Sequence, residues 1–177
     1  MIDIPSILLG LGKGSGGGSG WEKTLWSSGW LKSFGSDVEI EGNVVNLKSG
    51  STSHSINIAP PATENRTHRF DEDDVFVIAF TAKDLTSYLS VNVENASNAT
   101  FVSATGLVPV ASNQRRFGTG GSDVLTITVT TGYCNSLFFT PVTSGGSSSS
   151  SASATVEITG MSYNGNLIFG SVTPPNP

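Results

Sequence analysis

Val75-Phe-Val-Ile-Ala-Phe80 is an unbroken apolar run, and Val124-Leu-Thr-Ile-Thr-Val-Thr130 alternates apolar with polar residues. These two stretches decide the fold class. A short apolar run between polar flanks fits a central strand buried on both faces; strict alternation fits a strand with one face in the core. Branched residues dominate both, and they favour pleated sheets. Asp37-Val-Glu-Ile-Glu-Gly-Asn-Val-Val-Asn-Leu-Lys48 alternates on both sides of Gly42-Asn43, which predicts a hairpin. Ser55-Ile-Asn-Ile58 alternates and stops at Pro60-Pro61, and Tyr88-Leu-Ser-Val-Asn-Val-Glu94 alternates cleanly. Thr100 to Thr105, Ser136 to Thr140 and Thr155-Val-Glu-Ile-Thr-Gly-Met161 add further strands, with Leu167-Ile168-Phe169 as a last edge strand. No segment has a convincing helical period, and no internal repeat is evident. Many short strands with Gly, Asn and Pro punctuation predict an all-β chain, a β-sandwich or jelly roll.

The rest of the composition agrees. Of 177 residues, 37% are apolar and only 13% charged. The core is sufficient, and the surface must be covered by neutral polar groups, which suits an extracellular or particle-bound protein. Nine basic against fourteen acidic residues give a net charge of −5. Nucleic-acid binding needs a basic footprint, so no nucleic-acid partner is expected. The single cysteine, Cys134, excludes an intrachain disulfide. Beside Tyr133 and Leu137 it reads as a small buried hydrophobe rather than a catalytic thiol.

Residues 1–12 read Met-Ile-Asp-Ile-Pro-Ser-Ile-Leu-Leu-Gly-Leu-Gly. The stretch is too short for a membrane span and lacks the basic start of a signal peptide. Residues 13–20 are a Gly/Ser linker, a flexible coil without a packing face. An apolar peptide ahead of such a linker needs a hydrophobic partner. Ile2, Ile4, Ile7, Leu8, Leu9 and Leu11 are therefore candidates for anchoring the sandwich, residues 21–177, to a larger body. Trp21, Trp26 and Trp30 follow at once and are all the tryptophans of the chain. They fit three roles: capping the core, forming a subunit interface, or stacking on sugar rings. Ser144 to Ser153 reads as a long polar loop at a sandwich tip.

Asp71-Glu72-Asp73-Asp74 is the one dense charge cluster. Asp71, Asp73 and Asp74 are candidate calcium ligands, because calcium takes six to eight oxygens. The alternative is a solvated gatekeeper ahead of the most apolar strand. His54 and His68 have polar neighbours in the sequence and are expected to be exposed. No nucleophile, zinc or P-loop motif is present. The strand acids Asp37, Glu39, Glu41, Glu94 and Glu157 leave room for a glycosidase pair, but sequence alone does not pair them. Asn65, Asn95 and Asn98 open glycosylation triplets, which chance explains in a chain rich in Asn and Thr.

The first twenty residues, with their apolar start and Gly-rich run, resemble the beginnings of small virion proteins of phages and prophages of gut Firmicutes. The resemblance implies a fibre, capsid-decoration or minor tail protein on the particle surface, with other virion proteins as partners and no enzymatic activity. By fibre analogy it also implies a homo-trimer. The stretch from Val124 to Tyr163 is similar to carbohydrate-binding jelly rolls, which implies a host-surface glycan as a further partner. A stand-alone carbohydrate-binding module, in which Trp21, Trp26, Trp30, Tyr88 or Tyr133 would stack on sugars, is the alternative, and a polysaccharide hydrolase a third reading.

Overall fold

The computed structural model describes residues 29–50, 54–104, 108–111, 114–117, 120–143 and 150–173. These residues form fifteen strands. They are β1 (Leu31–Phe34), β2 (Val38–Glu41), β3 (Val44–Leu47), β4 (Ile56–Ile58), β5 (Phe70–Asp71), β6 (Val75–Lys83), β7 (Tyr88–Val93), β8 (Ala99–Ser103), β9 (Val108–Ala111), β10 (Gln114–Phe117), β11 (Gly121–Val129), β12 (Tyr133–Cys134), β13 (Leu137–Val142), β14 (Ala154–Tyr163) and β15 (Asn166–Gly170). The one helical element described is a 3-10 turn at Ala96–Asn98. No helix among the described residues is long and apolar enough to cross a membrane.

The strands form two large antiparallel sheets. One has the order β1-β4-β13-β7-β10-β9; the other has β2-β3-β14-β6-β11-β8, with β15 also paired to β14. Eight of them, β3, β4, β6, β7, β10, β11, β13 and β14, set the topology. The first lies beside the eighth in one sheet, and the second beside the seventh in the other. That order, β3-β14-β6-β11 facing β4-β13-β7-β10, is a jelly roll, the double-sheet form of β-sandwich. Strands β8 and β9 are inserted between β7 and β10, and each widens one sheet by an edge strand. A separate ribbon, β5 paired with β12, joins two connections between the sheets.

The period of two places the core. On β6, Phe76, Ile78, Phe80 and Ala82 are buried, and on β11 so are Leu125, Ile127 and Val129. Successive side chains on a strand point to opposite faces, so these sets share one face. Phe80 meets Phe139 of β13 edge to face, with ring centroids 5.1 Å apart, so side chains of the two sheets interlock. The predicted hairpin is present: β2 pairs with β3 through a Gly42-Asn43 turn in which Gly42 has φ 62°. A left-handed backbone suits glycine there.

One expectation needs correction. Strand β6 is central, but only one face lies between the sheets; on the other, Ala79 is buried while Val75, Val77 and Thr81 are half-buried. The continuous apolar run therefore overstated the burial of its outer side. That side gets part of its cover from the chain after β15. Ser171 and Thr173 line a groove of about 260 Å³ together with Ala79, Thr81 and Thr159. The crossing is close: a Cβ on Gly160 would meet the Ser171 backbone, and one on Gly170 the Thr159 carbonyl oxygen. The β14–β6 register shifts between Ile158 and Gly160, a bulge that absorbs this contact.

Candidate functional site: the arginine–aspartate end of the sandwich

Strand β6 begins just after the acidic cluster, and parity sorts the cluster's members. Asp74 shares the inward face of Phe76, Ile78 and Phe80, and its residue is 6% exposed. A carboxylate at such a position needs donors. It has three: the Arg66 guanidinium, the Asp71 backbone N–H at 2.7 Å and the Asn164 amide at 2.9 Å. Arg66 also donates to the Tyr163 hydroxyl, and its Nε lies 3.2 Å from an Asp71 carboxylate oxygen. Asn164 opens the β14–β15 turn, and its side-chain oxygen accepts the Val75 N–H at 2.8 Å. The network thus ties the start of β6 to the end of β14. Burial, opposed by Arg66, pushes the Tyr163 hydroxyl above its ordinary pKa.

This geometry gives the calcium candidates a different role. Asp71 and Asp74 face arginines, whose charge stands where a cation would sit. Asp73 is exposed, has φ 68° and donates its N–H to Val129. Among the described residues no group of three or more His, Cys, Asp or Glu side chains is placed to hold a metal.

Trp30 is a core residue. It is 5% exposed, stacks on Phe76 at 5.5 Å and meets Tyr163 edge-on at 5.4 Å. Of the three tryptophan roles, Trp30 takes the first, and it presents no open ring face to a sugar or a second subunit. Ile2, Ile4, Ile7, Leu8, Leu9, Leu11, Trp21 and Trp26 lie outside the described residues.

Both histidines depart from the expectation of exposure. His54 is fully buried, and its Nδ1 lies 3.1 Å from the Lys48 carbonyl. A carbonyl only accepts, so Nδ1 carries a proton, and Nε2 is buried with no hydrogen-bond partner among the described residues. The half-buried His68 donates from Nε2 to the Ala59 carbonyl at 3.1 Å. Cys134 is buried, as read from its neighbours, and burial raises its pKa to about 11.

The strand acids serve as local partners. Glu39 pairs with Lys48, Glu94 accepts from the Ser136 hydroxyl at 3.2 Å, and Glu157 accepts from the Asn43 amide at 3.3 Å. The register sets Glu41 and Glu157 on either side of Val44. That is two strand spacings, about 9.5 Å, with the valine between them.

Sequence reasoning missed Arg66, Arg69, Tyr163 and Asn164. The Asn164-Gly165 dipeptide is the one available signal, because it marks a tight hairpin turn. Arg69 lies at the rim of this end. Its Nε donates to Asp71 at 2.7 Å, and its guanidinium carbon sits 4.3 Å from the centre of the Tyr133 ring. Compared with protein-family models, curated proteins and solved structures, the chain matches none.

Proposed function

We propose that this chain is a virion accessory protein that displays a jelly-roll domain on a phage particle. Residues 1–12 attach it to other virion proteins, residues 13–20 form the tether, and the sandwich projects outward as a head fibre, capsid decoration or tail component. The observation that supports the reading is the displayed body itself, two antiparallel sheets closed on one apolar core. Among the described residues this core includes Trp30, packed against Phe76 and Tyr163. In the sequence the apolar peptide and the Gly/Ser run precede Trp30.

A low charge density and a net charge of −5 agree with a surface that stays soluble while avoiding nucleic acid. Several copies on one particle would turn weak contacts into strong attachment. Quantitative mass spectrometry of particles purified from the encoding strain tests the reading. The protein is expected at a fixed stoichiometry to the major capsid protein; its absence from intact particles refutes the proposal.

A further inference from the structure

The β5–β12 ribbon has an inner and an outer face. Its register pairs Cys134 with Phe70 and Tyr133 with Asp71. Phe70 and Cys134 are fully buried, so Tyr133 and Asp71 share the outward face. Tyr133 is 39% exposed. The Arg69 guanidinium backs its ring and is itself fixed by the 2.7 Å bond to Asp71.

The backbone beneath is held as well. The Asn98 amide donates to the Tyr133 carbonyl at 3.0 Å, and the Gly132 N–H donates to the Glu72 carboxylate at 3.2 Å. Glu72 is exposed and bonded to the residue next to Tyr133 in the chain, which leaves its carboxylate lone pairs for a ligand in solvent. An aromatic platform fixed in this way binds with little loss of side-chain freedom.

From this arrangement we infer a binding site for a neutral saccharide, which stacks its C–H face on the open side of Tyr133 and donates a hydroxyl to Glu72. Stacking suits a ligand with one apolar face and a polar rim. A neutral ligand follows from the local charge: Arg66 and Arg69 stand against Asp71, Glu72, Asp73 and Asp74. An excess of carboxylates repels phosphates and acidic sugars. The inference rests on the reading of the sandwich as the displayed attachment module, and it names what that module holds.

The test applies the full-length protein to an array of neutral and acidic bacterial surface saccharides. Retention on at least one neutral saccharide is expected. Tyr133→Ala should weaken it at least tenfold, Tyr133→Phe should keep it, and Glu72→Gln should weaken it severalfold. Phe34→Ala removes another exposed aromatic, on β1, and should change nothing. A blank array with folded protein overturns the inference; so does retention that Tyr133→Ala leaves intact, or retention on acidic saccharides alone. Particle incorporation of the same variants separates the two readings. Normal incorporation with a blank array removes the saccharide site and leaves the virion reading standing. Tyr133-dependent binding by a protein absent from particles does the reverse.

Discussion

Cys134 lies on the inner face of the ribbon, where its thiol donates to the Asn95 carbonyl at 3.5 Å. Burial raises its pKa from 9.0 to about 11. The unfolded chain therefore ionises first as pH rises. Stability from this group is complete below pH 9 and is lost as pH climbs toward 11. Tyr163 is shifted the same way and adds to the slope. Urea denaturation at pH 8 and pH 11 should show a larger stability loss for the wild type than for Cys134→Ala; equal losses would contradict the burial argument. At this scale strand parity carried past the strand ends holds information that the sequence reading did not use. His54 precedes Ile56 and Ile58 by even steps, and Asp74 likewise precedes Phe76 and Ile78. Both are buried for that reason. Polar neighbours hid His54, because adjacent residues on a strand face opposite ways. The partners of Asp74 were not legible at all: Asn164 lies 90 residues away in the chain.

Strand β6 is held at its start by the Arg66–Asp74–Asn164 network, which gives the acidic cluster a structural role. Removing a partner from a buried carboxylate costs about 3 kcal/mol, since the charge remains uncompensated. Arg66→Met should therefore lower the melting temperature markedly, whereas Glu64→Gln, an exposed change nearby, should not. Millimolar calcium should leave the wild-type melting temperature unchanged, because guanidinium groups already occupy Asp71 and Asp74. A calcium-dependent rise measured by calorimetry would restore the cation reading. Long alternating elements were legible as strands: the β2–β3 hairpin, β7, β11 and β14. Strands β5 and β12 were not, since two residues each carry no period. Strand β1, Leu-Lys-Ser-Phe, has no alternation of its own. Its place comes from pairing with β4 and from Trp30 packed beside it.

For the molecule as a whole, sequence pattern predicted two layers of strands but not their order. The jelly-roll order depends on neighbours far apart in the chain, such as β3 beside β14. No local propensity encodes such a pairing; burial of complementary apolar faces selects it. On the proposed reading, residues 1–12 tether the sandwich to a particle. Deleting residues 1–12 tests this most directly, with particle occupancy and melting temperature measured on the same variant. An unchanged melting temperature and loss of the protein from purified particles are expected. Full occupancy of the truncated protein would contradict it.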